Sequence, residues 1–128
     1  MGTFRVQIEI ADASGQHYEA MSALTDTGAA YTWVPRRVLE RMGHQPSFRR
    51  PFVLADGRVV QRDLTEARMR LGSQIITTIV VFGDNTGDLL LGAYSLEGFG
   101  LAVDPVNHRV VPVEVFPMGL SQLQTRDR

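Results

Sequence analysis

The chain has 128 residues, enough for one domain with a buried core but few for a self-contained enzyme of two lobes. Its 13 Lys and Arg nearly balance 14 Asp and Glu, so no overall field draws the chain toward nucleic acid or an anionic membrane. It contains no cysteine, which excludes disulfides, thiolate nucleophiles and cysteine-based zinc sites.

The first third of the chain predicts a β-hairpin followed by a short helix. Apolar and polar residues alternate over residues 4–10, as in a half-buried strand, and residues 12–15 form a turn into a strand that ends at Leu24. After a loop that begins at Asp26, residues 31–34 continue extended. Pro35 can then start a helix in which residues 38, 39 and 42 share one face, and Gly43 is placed to end it.

The rest of the chain predicts further strands and turns. Asp56-Gly57 is a hairpin signal between apolar residues 52–54 and residues 59–61, and strands follow at residues 65–71 and 75–82. Residues 89–91 are apolar and too few for a helix, so they predict a strand buried on both faces. A helical turn is expected at residues 94–99, and residues 101–103 and 109–113 are expected to pair across a turn.

Many short strands with small helical pieces predict a closed or nearly closed all-β domain. We expect this domain to span residues 1–115 and the polar, aperiodic residues 116–128 to form a loose tail. The N-terminus lacks the apolar region of a signal peptide, and no apolar run is long enough to span a membrane. A soluble, cytoplasmic protein is therefore expected.

Asp26 is the residue most readily given a chemical role. It lies in Leu24-Thr25-Asp26-Thr27-Gly28-Ala29, where a short carboxylate and small residues follow an apolar strand. Gly28 allows the backbone to pass close to the carboxylate and to point an N–H at it. Because Asp, Thr and Gly also form ordinary turns, this segment by itself is compatible with either a turn or a catalytic acid.

Three segments, in this order, resemble the retropepsin-like aspartic proteases, the single-domain relatives of pepsin. They are the Asp-Thr-Gly-Ala segment at residues 26–29, a hairpin around residues 55–58, and an apolar-apolar-glycine segment at residues 90–92. The resemblance extends from about Phe4 to about Val113. It implies a closed β-barrel with one or two short helices, equivalent to half of a two-lobed acid protease, and aspartic endopeptidase activity.

The resemblance also implies roles for individual residues. Asp26 would be catalytic, and the active-site loop would include Thr27, which bonds across a two-fold axis, Gly28, which donates its N–H to the carboxylate, and Ala29. A flap would cover the substrate with Ala55, Asp56, Gly57 and Arg58. The loop would be supported from beneath by Leu90, Leu91 and Gly92.

The chain has only one Asp-Thr-Gly segment, whereas hydrolysis by aspartates needs one carboxylate to take a proton while another delivers one. Asp56, Asp88 and Asp104 lie in loop or turn sequences, which favours structural roles. A two-fold homodimer would place Asp26 opposite its symmetry mate. We therefore predict a homodimer acting on peptides or proteins, without a cofactor; the three histidines are too scattered to predict a metal site.

Two other functions remain open. A non-catalytic dimeric module could retain the fold for peptide binding or assembly, although such a module has no need of the acid. Glycoside hydrolysis by paired carboxylates is the weaker alternative, because only Trp33 suggests an aromatic platform for a sugar. Trp33 is otherwise expected in the core or in an interface.

Overall fold

A computed structural model describes residues 3–120, which form a seven-stranded sheet, a separate two-stranded hairpin and two short helices. In chain order the elements are β1 (Arg5–Ala11), β2 (Tyr18–Thr25), β3 (Thr32–Pro35), α1 (Arg36–Arg41), β4 (Phe48–Val53), β5 (Val59–Leu71), β6 (Gln74–Gly83), β7 (Leu90–Leu91), α2 (Ala93–Phe99), β8 (Leu101–Asp104) and β9 (Arg109–Pro112).

The larger sheet closes on itself. Its strand order is β1-β2-β7-β3-β6-β5-β4, and β1 also pairs with β5, so β4 alone stands outside the ring. Strand pairing all round the ring satisfies backbone groups that an open sheet would leave at its edges. The predicted all-β class is confirmed.

The core lies inside the ring, and it follows the period-two alternation of the strands. Inward-facing residues of β1, β5 and β6 and the apolar faces of both helices are buried together, among them Ile8, Ile10, Met69, Val80, Phe82, Leu39, Leu96 and Phe99. Each fully buried side chain of this size contributes about 1.5–3 kcal/mol of transfer free energy. This burial fixes the ring that carries the site.

One strand is longer than the sequence suggested. The stretches at residues 59–61 and 65–71 belong to a single strand, β5, whose first half pairs with β4 and whose second half pairs with β6. Arg62 and Asp63 interrupt the apolar alternation, but Asp63 accepts a 2.6 Å bond from Arg36 and Arg62 lies 3.6 Å from Asp84. The β4–β5 hairpin is therefore a continuation of a core strand.

The helices and the C-terminal hairpin lie where the sequence predicted them. Pro35 precedes α1, and Gly43 adopts a φ of 86° after it. Residues 113–119 form no regular element, and the rest of the predicted tail, residues 121–128, lies outside the described residues. Within the part of the chain that the structure describes, neither helix is long and apolar enough to cross a membrane.

Candidate active site

The loop that carries Asp26 straddles the short strand β7. On one side β2 runs parallel to β7 and pairs Leu24 with Leu90; on the other side β3 runs antiparallel to it and pairs Trp33 with Leu90. The chain leaves β2 at Thr25 and enters β3 at Thr32, so the loop must cross over the end of β7. This topology places Asp26 at a junction of three strands.

Asp26 is held by its neighbours while its side chain stays half-exposed. The backbone N–H of Asp26 donates to the carbonyl of Leu91 at 3.0 Å, and the backbone carbonyl of Asp26 accepts the N–H of Ala29 at 3.1 Å. The N–H of Gly28 donates to Oδ1 at 2.9 Å, as expected from the sequence. The carboxylate is therefore oriented by the backbone and remains partly exposed to solvent.

Gly92 lies directly against the underside of this loop. A Cβ atom built there would fall 2.2 Å from the carbonyl oxygen of Tyr31 and 2.9 Å from that of Ala29. The next two amides, of Ala93 and Tyr94, donate to the carbonyls of Ala29 and Ala30, each at 2.9 Å. Only glycine fits this approach, and it lets the start of α2 bond to the loop.

Buried hydroxyl groups, which the sequence reading missed, lie below the same junction. Ser95 Oγ is 2.7 Å from Thr32 Oγ1 and 2.7 Å from Thr78 Oγ1. Thr32 Oγ1 also accepts the N–H of Gly92 at 3.1 Å. A sequence shows only hydroxyl residues inside apolar stretches, and it does not show that they meet.

The β4–β5 hairpin is closed by a compact turn. The N–H of Gly57 donates to the carbonyl of Leu54 at 2.9 Å, and the N–H of Leu54 donates to the carbonyl of Arg58 at 2.7 Å. Gly57 has a φ of 90°, as in a type I turn followed by a glycine bulge. The Arg58 amide, and then its guanidinium, bond to Asp56 and lower the pKa of that carboxyl. All four predicted flap residues are exposed.

Aromatic rings join this hairpin to the Asp26 loop. Phe52 in β4 stands edge-on to Trp33, with ring centroids 5.0 Å apart, and edge-on to Tyr31 at 6.2 Å. Tyr31 in turn meets Tyr94 of α2 at 5.8 Å. Trp33 is thus half-buried in a wall between hairpin and loop. Nothing in the sequence indicates that Phe52 contacts Trp33.

The other carboxylates considered as a second acid each have a partner other than Asp26. Asp88 Oδ1 lies 3.1 Å from an Arg5 nitrogen, and Asp56 lies 2.7 Å from Arg58. Asp104 accepts amides of its own turn, from Val106 and Asn107. Among residues 3–120, no three His, Cys, Asp or Glu side chains group so as to hold a metal ion.

Comparison with known proteins agrees with this geometry. Residues 6–94 match the model of a family described as aspartyl protease. The solution structure of simian foamy virus (mac) protease has 20% identity and a TM-score of 0.53, over 73% of this chain and 92% of that chain. A retropepsin-like aspartic protease from Rickettsia conorii has 21% identity and a TM-score of 0.55, over 80% of this chain and 85% of that chain.

No curated protein compared with the chain matches it. The two solved structures share its fold, so the retropepsin-like architecture is confirmed. The family match covers well over half of the chain and includes the Asp26 loop, the β4–β5 hairpin and β7. The chain belongs to the aspartyl protease family.

Proposed function

We propose that the chain is an aspartic endopeptidase that acts as a homodimer, with Asp26 of each copy forming one catalytic pair. The observation that carries this proposal is the Asp26 loop: an accessible carboxylate, oriented by the Gly28 N–H, on a loop fixed to β7 and α2. Each chain supplies one such loop and therefore one carboxylate. A two-fold axis would place the same carboxylate of a second copy opposite it.

The pair works by sharing a proton. Two carboxylates in hydrogen-bonding distance cannot both ionise cheaply, so one is charged and the other protonated. The charged carboxylate takes a proton from water as the water oxygen attacks the peptide carbonyl carbon, and the protonated one gives its proton to the carbonyl oxygen. The tetrahedral intermediate then breaks its C–N bond as the amine nitrogen receives a proton from the protonated carboxyl and the charged carboxylate takes one from a hydroxyl of the intermediate, which leaves the pair again with one proton.

The other predicted residues take supporting roles in this proposal. Thr27 is exposed beside Asp26, where it can meet its copy across the axis. Leu91 is fully buried and bonds the Asp26 amide through its carbonyl, and Gly92 gives the loop room to lie on α2. These contacts support a role for residues 90–92 beneath the loop.

The hairpin provides the cover. An extended peptide between the loop and residues 55–58 would be bound as an added strand, through its main chain. Val53 and Val59, a cross-strand pair next to the turn, are 73% and 63% exposed, which makes apolar surface available to the substrate. The Trp33 and Phe52 rings close one side of that space.

Replacement of Asp26 by asparagine separates an enzyme from a peptide-binding module. Asparagine keeps an oxygen for the Gly28 N–H but cannot exchange the proton, so the variant is expected to fold and to lose cleavage. Both proteins are incubated with a mixed peptide library, and the products are identified by mass spectrometry. Cleavage by the wild type and none by Asp26→Asn supports the enzyme; retention of peptides without cleavage by either supports the module.

Mixing the two proteins tests the dimer. If both carboxylates are needed, and subunits exchange freely, equal amounts of wild type and Asp26→Asn leave about a quarter of the activity at fixed total protein, because only dimers of two wild-type chains work. A strict monomer would leave half. Sedimentation at the assay concentration shows whether dimers are present.

A further inference from the structure

Three buried hydroxyls form one connected chain behind the Asp26 loop. Thr32 and Ser95 are 0% exposed and Thr78 is 1% exposed, and Ser95 Oγ lies 2.7 Å from each of the two threonine oxygens. Thr78 belongs to β6, Ser95 to α2 and Thr32 to β3. This hydroxyl relay therefore joins three elements and ends on the N–H of Gly92.

The last of these bonds is unlike its neighbours. The amides of Ala93 and Tyr94 donate to backbone carbonyls of the loop, whereas the Gly92 amide donates to a side chain, Thr32 Oγ1, at 3.1 Å. The backbone itself supplies the first two acceptors whatever the side chains are. The third acceptor is present only because residue 32 carries a hydroxyl, whose rotamer is fixed in turn by Ser95.

Apolar packing alone does not require these hydroxyls. Valine matches threonine in shape and alanine matches serine closely, and replacing hydrogen-bonded partners by apolar groups of the same shape can be nearly neutral for stability. The neighbours inside the ring, such as Val80 and Leu96, are apolar and fully or almost fully buried. Hydrogen-bonded hydroxyls in such apolar surroundings specify one arrangement of the groups that they join.

We propose that the Thr32–Ser95–Thr78 relay positions Asp26 for catalysis by fixing the peptide unit between Leu91 and Gly92. The carbonyl of Leu91 accepts the Asp26 N–H, and the Gly92 N–H of that same peptide unit is held by Thr32. Rotation of this unit would move the acceptor of Asp26. Ser95 and Thr78 are positioning residues, since they act through the loop and are buried away from substrate.

This inference rests on the proposed function, because a pair of aspartates must meet within hydrogen-bonding distance. A displacement of the Asp26 loop well below 1 Å changes that distance in both copies. Misplacement of reacting groups by about 1 Å can cost about 100-fold in rate. The relay should therefore affect turnover more than substrate binding.

The test compares relay variants with a part-buried hydroxyl pair elsewhere, formed by buried Thr65 and exposed Ser47. Ser95→Ala and Thr78→Val remove relay members, and Thr78→Ser restores the hydroxyl. The control is Thr65→Val, since Thr65 is 6% exposed and its Oγ1 lies 2.8 Å from Ser47 Oγ, outside the relay. We expect Ser95→Ala and Thr78→Val to lower kcat about 10-fold with KM changed less than about twofold. Thr78→Ser should recover most of kcat.

A second measurement does not depend on activity. Amide hydrogen exchange, followed by NMR, reports the opening of single hydrogen bonds in each variant. In Ser95→Ala the amides of Asp26 and Gly92 should exchange at least about 10-fold faster than in the wild type, relative to core amides of β1. Thr65→Val should leave that ratio unchanged.

The outcomes separate the two proposals. If the wild type cleaves no peptide, the proposed function fails, whatever the exchange rates are. If the wild type cleaves, but Ser95→Ala and Thr65→Val lower kcat equally at an equal loss of Tm, the relay is ordinary packing and the inference is overturned. Unchanged exchange at Asp26 and Gly92 in Ser95→Ala also overturns it.

Discussion

The two sides of the proposed cleft are built in different ways. The Asp26 loop is bonded to residues far along the chain: Asp26 to Leu91, and Ala29 to Ala93. The tip of the β4–β5 hairpin is held by bonds among residues 54–58, within its own turn. The loop is therefore fixed by tertiary structure and the tip by local structure.

This difference suits a site that must admit a substrate and then cover it. Segments with few buried contacts open at low free-energy cost, whereas elements tied into the core open only when much of the structure does. Phe52 marks the boundary, since its ring joins β4 to Trp33 and Tyr31. We expect the hairpin beyond Phe52 to move while the loop stays in place.

Gly92→Ala should have the largest effect on stability and cleavage. Its Cβ would fall 2.2 Å from the Tyr31 carbonyl oxygen, so the loop or α2 must shift. We expect a loss of about 3 kcal/mol or more in unfolding free energy, at the upper end for overpacked sites, and loss of at least about 99% of cleavage. Thermal unfolding and initial rates measure both. A Tm within about 2 °C of the wild type would show that the close approach is absent in solution.

Phe52→Ala should have the next largest effect, and it should act on binding. The change removes edge-on contacts to Trp33 and Tyr31, which are worth about 0.5–1.5 kcal/mol each in aromatic pairs. We expect KM to rise about 10-fold with a smaller change in kcat, because the cover loses its anchor while the Asp26 loop is intact. Phe52→Tyr keeps the ring and should behave like the wild type. A fall in kcat alone would place Phe52 in the chemistry instead.

Gly57→Ala is the counterpart of Gly92→Ala at the tip. Gly57 has a φ of 90°, but no atom lies within 4 Å of a Cβ built there. The cost is therefore conformational strain without a clash, about 1 kcal/mol, and cleavage should change less than about threefold. Gly57→Asn should recover part of the stability, because asparagine tolerates positive φ better than alanine. A loss of cleavage as large as that of Gly92→Ala would end the distinction between the two sides.

Local signals in the sequence predicted much of this architecture. Alternation in residues 4–10, the Asp56-Gly57 turn and Pro35 before a helical stretch depend on neighbours in the chain, and β1, the hairpin and α1 follow them. The bond from the Gly28 N–H to Asp26 was likewise foreseeable, since it spans two residues.

Features that depend on distant neighbours were not predictable. Thr32, Thr78 and Ser95 meet only because the ring brings β3 beside β6 and lays α2 over them. The sequence predicts separate stretches at residues 59–61 and 65–71, whereas the structure has one strand, β5, in which Arg62 and Asp63 pair with Asp84 and Arg36, more than 20 residues away. Single-sequence patterns do not contain such pairings.

The smallest expected effect is acid loosening of the tip. The amide of Arg58, followed by its guanidinium, lowers the pKa of Asp56 in the folded state, so this carboxylate stabilises the turn at neutral pH. Its contribution is present above the ordinary pKa and is lost as pH falls through the lowered one. The NMR chemical shift of the Arg58 amide should change over that acid range as Asp56 is protonated, and Asp56→Asn, which keeps an acceptor oxygen, should abolish this change.

The bonds that fix residues 26 and 29 to residues 91 and 93 join backbone atoms, which do not titrate. Acid should therefore loosen the tip before it loosens those bonds, and simultaneous loosening of both would contradict their independence.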